Sequence, residues 1–236
     1  MKGSGAGLSP QERRLLLGLF ASNLLSVSLF LVRIIGSGVD RYGFMIWNLF
    51  LAWLPLLLST WLVRRLVASR WLSWQNVVLT LLWLVLLPNS FYMITDLIHL
   101  QTSGEINVLF DTVLLFSFIF NGLIVGYISL YQVHLAFLKR LARRQAHGLV
   151  TVLMIITGFA IYLGRDLRWN SWDIMIHPGA LLFDISDRLL HPINYPDAFL
   201  TTVTFWLLLG AMYVVAWQLL AAGKSASSNS KRQSVT

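Results

Sequence analysis

Asp96 and His99 stand three residues apart near the end of an apolar run that begins at Trp74, and they are the residues of this chain best suited to chemistry. On a helix, residues three apart share a face. A carboxylate and an imidazole placed that way can serve as acid and base, or hold a divalent cation that activates water. Asp111 opens the next apolar run and Arg165 closes a later one, and with Asp96 and His99 they form the candidate catalytic set. Asn48, Asn89, Asp166, Arg168, Asn170, Asp173 and His177 are the candidate ligand-binding residues. The metal-ligand candidates are Asp96, His99 and Asp111; Asp-x-x-His is a common spacing, so the cofactor stays unknown beyond a divalent cation that such ligands could hold. No Ser-centred nucleophile elbow, Gly-rich phosphate loop or His-Glu-x-x-His segment occurs.

The elements that must position these residues follow from composition. Apolar residues make up 57% of the 236 residues and charged residues 12%, with a mean hydropathy of +0.70. A soluble domain of this length has no use for so much apolar side chain, so the expected fold class is an all-α integral membrane protein. There is no cysteine, which excludes disulfides, thiolate chemistry and zinc ribbons. The net charge of +8 is carried by short basic clusters between apolar stretches, the pattern of orientation signals and not of a nucleic-acid surface. The expected partner is therefore the lipid bilayer, with no nucleic acid.

Spans need about 20 mostly apolar residues, and six are expected, near 15–35, 43–63, 74–99, 108–138, 149–168 and 198–220. The run from Leu15 has no small-residue cleavage site, so it reads as a first membrane helix and not a signal peptide. Residues 1–14 form a cytoplasmic segment, 15–222 a single membrane domain, and the Ser/Lys-rich residues 223–236 a disordered tail. With both termini inside, only Arg33, Arg41, Arg165, Arg168 and Arg188 of the 18 basic residues fall outside, which fits the Lys/Arg bias of cytoplasmic loops. Every acidic residue except Glu12 lies on the outer side. The outer face is the chemical face.

At 1.5 Å of rise per residue through a core of about 30 Å, Asn48, Asn89, Asp96, His99, Asp111, Arg165 and Asp166 reach a common level. Charge inside a membrane is usually paired and turned toward the bundle interior, so these residues should line an outward-opening polar pocket. Arg165 is the basic residue expected to reach Asp96 and Asp111, neutralising one carboxylate and leaving the other for a ligand. Glu105, Arg188 and Asp197 read instead as interfacial charges in water. Beyond Arg168, Asn170 or Ser171 should cap a short helix carrying Asp173 and His177 on one face. From Gly179 to Leu190, apolar residues at helical spacing predict an interfacial helix that partly roofs the pocket.

The segments Pro88-Asn89, Tyr92, Thr95-Asp96-Leu97, Asp111, Gly164-Arg165 and Arg168-Trp169-Asn170-Ser171-Trp172-Asp173 resemble the bacterial multi-pass membrane proteins catalogued as domain of unknown function 1361. The more specific part is Gly-Arg-x-x-Arg-x-Asn-Ser-Trp-Asp. Where the family pattern has Ala-Pro after Pro-Asn, this chain has Ser90-Phe91. The resemblance implies a multi-pass architecture over roughly Leu15 to Leu220 and a bacterial plasma membrane. It implies no activity.

Three functions fit these residues: an outer-leaflet enzyme or binding protein acting on a lipid or membrane-embedded substrate, a small-solute or ion transporter using Asn48, Asn89, Asn121 and the Pro55 and Pro88 kinks, or a scaffold whose polar cluster only locks helices. These residues are compatible with an enzyme and with a protein that only binds. The topology is testable directly: a reporter fused after Ser230 should score as cytoplasmic and one inserted near Ser103 as external. Both scoring on the same side would mean that a span has been miscounted.

Overall fold

The computed structural model describes residues 10–100 and 107–233. The loop residues Ser103 and Glu105 therefore lie outside the described part. Among the described residues eight α-helices run in chain order: α1 Pro10–Ser37, α2 Phe44–Arg65, α3 Trp74–Tyr92, α4 Val108–Leu138, α5 Arg143–Arg165, α6 Asp173–Ile176, α7 Pro178–Leu190 and α8 Pro196–Gln233. No strand occurs among the described residues. Among the described residues, six stretches are long and apolar enough to cross a membrane: Arg13–Ser37, Phe44–Arg65, Trp74–His99, Val108–Leu138, Arg143–Arg165 and Pro196–Leu220. The chain is an all-α multi-pass membrane protein.

Several boundaries differ from those expected. The α3 helix passes Pro88 unbroken but gives way at Met93 to a 3-10 helix, Met93–His99. Three residues per turn put i and i+3 directly in line, so Asp96 and His99 remain adjacent in register. The α5 helix starts at Arg143 and stops at Arg165, earlier at both ends than the pattern suggested, and Arg168 turns the chain away with a left-handed φ of 60°. The backbone of α8 stays helical to Gln233, where a disordered tail was expected.

Packing divides the helices into two groups. The α2 helix lies against α3 and α4, with α1 laid on α4; α5 pairs with α8 and meets the first group mainly through α3. Inside the first group Trp83, Leu87, Phe91, Leu114, Leu115 and Phe118 are buried, while Leu17, Phe20, Trp61, Phe116 and Phe120 on the same helices face outward. Lipid tails are as apolar as leucine, so helix association in a bilayer rests on close packing and hydrogen bonds. Both are present. Trp83 Nε1 donates to Ser129 Oγ (2.8 Å), Ser129 Oγ to Ser59 Oγ (3.0 Å) and Ser59 Oγ to Gln132 Oε1 (2.9 Å), and Asn121 Nδ2 donates to Ser26 Oγ of α1 (2.9 Å). Asn121, whose depth suggested a transport path, is thus occupied in holding α1 to α4.

Small residues set the closest approaches. A Cβ on Gly126 of α4 would lie 2.7 Å from Ser90 Cβ, and one on Gly158 of α5 would lie 2.6 Å from the Thr202 carbonyl oxygen of α8. The Thr202 atom is backbone, so it cannot swing aside and the helices themselves must part. Gly158→Ala should therefore destabilise the protein by roughly 1–3 kcal/mol, the scale of overpacking. Gly148→Ala and Gly210→Ala, where nothing lies within 4 Å, serve as controls that should not destabilise. Thermal melting of the three variants in one detergent distinguishes the outcomes, and equal melting would mean that α5 and α8 are not packed this closely.

Candidate functional site

The polar residues at the end of the bundle carrying the α1–α2 turn separate into two sets with different surroundings. The first set is sealed. Arg33, near the end of α1, donates from Nε to Asp111 Oδ1 at 3.0 Å and from Nη2 to Asp111 Oδ2 at 3.4 Å, with the two side chains 0% and 1% exposed. Its Nη1 donates to the Val39 carbonyl (2.9 Å). The Tyr42 hydroxyl donates to Asp111 Oδ2 at 3.2 Å, and its ring lies 4.8 Å beneath the guanidinium carbon. Burial, with the Asp111 carboxylate beside it, pushes the Tyr42 hydroxyl above its ordinary pKa, which keeps it a donor.

This corrects the expected pairing. Arg165 was to neutralise Asp96 or Asp111, but Arg33 takes Asp111, and both carboxylate oxygens are occupied. Two sequence features carried the signal: Arg33 interrupts an otherwise apolar helix, and Tyr42 follows a turn. The span count puts Arg33 among the basic residues of the outer segments, whereas its side chain turns inward to Asp111. Asp111 is not among the residues that line the cavity described next, and no group of three His, Asp or Glu side chains suited to a metal ion occurs among the described residues.

The second set faces a cavity of about 800 Å³ bounded by α2, α3, α5, α7 and the start of α8. Asp96, brought there by the 3-10 turn, accepts from Asn48 Nδ2 of α2 at 3.0 Å and is 2% exposed. His99 also lines the cavity and sets its ring edge-on to Phe44, 5.0 Å between centroids. Asn89 Nδ2 donates to Ser171 Oγ at 3.0 Å, pinning the segment after α5 onto α3. The remaining walls are apolar, from Leu51 and Leu84 through Ile155, Ile156 and Phe159 to Leu181 and Phe199. A large apolar cavity with a few convergent polar groups has the character of a ligand site.

Of the other expected site residues, Asn170 lines the cavity. Asp173 instead caps its own turn, accepting from the Asn170 backbone N–H at 2.7 Å, the reverse of the expected direction of capping. Arg165, Asp166, Arg168, Asp173 and His177 are not among the lining residues. Arg165 acts through space on Asp96 and His99, and burial raises the Asp166 pKa against the pull of the same arginine. The α7 helix does form a wall, through Leu181, Ile185, Arg188 and Leu189. Arg188 and Tyr195, read from sequence as interfacial or turn residues, line the cavity as well. For Arg188 the signal was the i, i+4, i+7, i+8 spacing that puts it on the face of Leu181, Ile185 and Leu189; Tyr195, beyond the end of α7, carried none.

A family model described as protein of unknown function (DUF1361) matches residues 47–215. That stretch contains the whole lining of the cavity apart from Phe44. No curated protein and no solved structure matches the chain.

The two sets should respond differently to substitution. Removing one member of a buried pair leaves an uncompensated charge, at a cost of about 3–5 kcal/mol, so Arg33→Ala and Asp111→Asn should each strongly lower the melting temperature in detergent. Replacing both together, Arg33→Met with Asp111→Leu, should recover most of the loss. Asp96→Asn, whose only described partner is an amide, should melt close to wild type. Arg33→Ala and Asp96→Asn melting alike would contradict the division of the site.

Proposed function

The chain belongs to the DUF1361 family of proteins of unknown function, which assigns no activity, so from the site itself we propose a membrane-embedded binding protein or enzyme that takes an amphiphile, a lipid or lipid-linked molecule, into the cavity between α2–α3 and α5–α8. The observation that carries this reading is the contrast within one space: about 800 Å³ of mostly apolar wall, with Asp96, Asn48, Asn89 and His99 presented to it. An acyl or prenyl chain fits Leu51, Leu84, Ile155, Ile156 and Phe159, because in such a groove it exchanges lipid contacts for protein contacts at little cost. A hydrogen-bond donor of the polar head, a hydroxyl or amine, then meets the Asp96 carboxylate, an acceptor whose geometry Asn48 fixes at 3.0 Å. In an enzyme, Asp96 and His99 are the groups placed to move a proton on that head.

The Lys/Arg distribution supports a cavity opening toward the outer leaflet of a bacterial plasma membrane, with both termini cytoplasmic. A substrate then enters from lipid or from the outer interface. In the other half of the bundle Gln132, Ser59 and Ser129 are taken up in helix-to-helix hydrogen bonds, which favours a one-ended site over a transport path.

The test is native mass spectrometry of the full chain gently extracted from its membrane. Wild type should carry about one amphiphile per chain, identified after denaturation. Ala160→Phe, which fills part of the cavity wall, should lose it while still melting cooperatively. Absence of any retained amphiphile in wild type, or equal retention in Ala160→Phe, would remove the basis for the proposal.

A further inference from the structure

Arg188 is the residue of the cavity wall whose hydrogen bonding is least complete. Its side chain is 10% exposed. Nη1 donates to both the Asp184 carbonyl and Asp184 Oδ1 at 3.0 Å, and the guanidinium carbon stacks 4.7 Å from the Tyr195 ring centroid. Nε is buried with no partner. The acidic neighbours do not fill this edge. Asp184 also accepts from Trp169 Nε1 (2.8 Å), and Asp187 is engaged by the Tyr195 hydroxyl and by His191 Nδ1 (2.9 Å). The Tyr162 hydroxyl is a further hydrogen-bond partner of the guanidinium, but a neutral one.

Nε and Nη2 form the side-on edge of a guanidinium, the edge that matches two oxygens of a carboxylate or phosphate. The same protein shows that use: Arg33 presents Nε and Nη2 to the two oxygens of Asp111. At Arg188 the guanidinium is fixed in place by Asp184 and Tyr195, and Nε on this edge is buried without an acceptor. A buried donor left unpaired is unfavourable, more so on a charged group. We propose that the cavity is specific for an amphiphile with an anionic oxygen group, phosphate or carboxylate, whose oxygens occupy the Nε–Nη2 edge of Arg188. This rests on the reading that the cavity takes an amphiphile, and adds the charge and chemistry of its head.

The test measures binding of the full chain, in a mild detergent, to phosphatidic acid, a fatty acid and diacylglycerol with matched acyl chains, with inorganic phosphate as competitor. Wild type should bind one or both acidic lipids at least about tenfold more tightly than diacylglycerol. Arg188→Gln should weaken the acidic lipid about tenfold to a hundredfold, the worth of a charge-assisted hydrogen bond or two, and leave diacylglycerol unchanged. Which acidic lipid responds distinguishes phosphate from carboxylate. Equal affinity for acidic and neutral lipids, or no effect of Arg188→Gln, would overturn the proposal. Inorganic phosphate binding as tightly as phosphatidic acid, and lost in Arg188→Gln, would keep the anion site but remove the amphiphile reading. Diacylglycerol bound by wild type and excluded by Ala160→Phe, without any acidic preference, would do the opposite. Arg188→Lys keeps the charge but not the fork, and carries the same comparison should Arg188→Gln not fold.

Discussion

A polar group in hydrocarbon has no water to turn to, so it must find a partner in the protein, and that requirement organises this molecule. The buried Arg33–Asp111 pair is its strongest expression. Two charges, 0% and 1% exposed, are held by a two-pronged contact, a tyrosine hydroxyl and a backbone carbonyl, so little of either group is left unsatisfied. The pair joins α1 and the turn after it to α4, and α2 and α3 are then laid against that frame. With Asp111 committed to Arg33, Asp96 is the carboxylate left to face open space.

That space arises from how the helices end. The change from α3 to a 3-10 turn at Met93 carries Asp96 inward. The α5 helix stops at Arg165, and the left-handed Arg168 sends the chain back across the bundle end, where Ser171 ties it to Asn89. The α5–α8 pair, drawn tight at Gly158 and Thr202, stands off from α2 and leaves the cavity between. Its walls are apolar because they belong to spans, and its polar groups sit where the spans end.

The spans were legible in the sequence because twenty apolar residues between charged breaks have few other uses. The polar level was legible for the same reason: Asn48, Asn89 and Asp96 occupy similar heights, and depth follows from counting residues. What could not be read was azimuth. Arg33, Arg165 and Arg188 all lie near one level, and only the rotation of each helix decides which guanidinium meets Asp111, which acts on Asp96 through space, and which lines the cavity. The amphipathic spacing of α7 gave its role as a wall, yet the charge of Arg188 concealed that it shares the buried face with Leu181 and Ile185. The long stem of arginine covers apolar surface while its head makes specific contacts, and periodicity alone treats such a residue as polar.

The Arg33–Asp111 pair also bears on how the chain is made. Each charge alone disfavours insertion of its helix, by about 2.5–3.5 kcal/mol if placed near the bilayer centre and less toward the interface. The two residues are 78 positions apart in the chain. When α1 is made, the carboxylate that Arg33 grips in the folded chain, Asp111, has yet to be synthesised and arrives only with α4. The first helix is thus a provisional insert, anchored by its apolar residues and completed only by the fourth. The final seating of α1 therefore depends on a helix made three spans later, a dependence that spacing along the chain imposes on biogenesis.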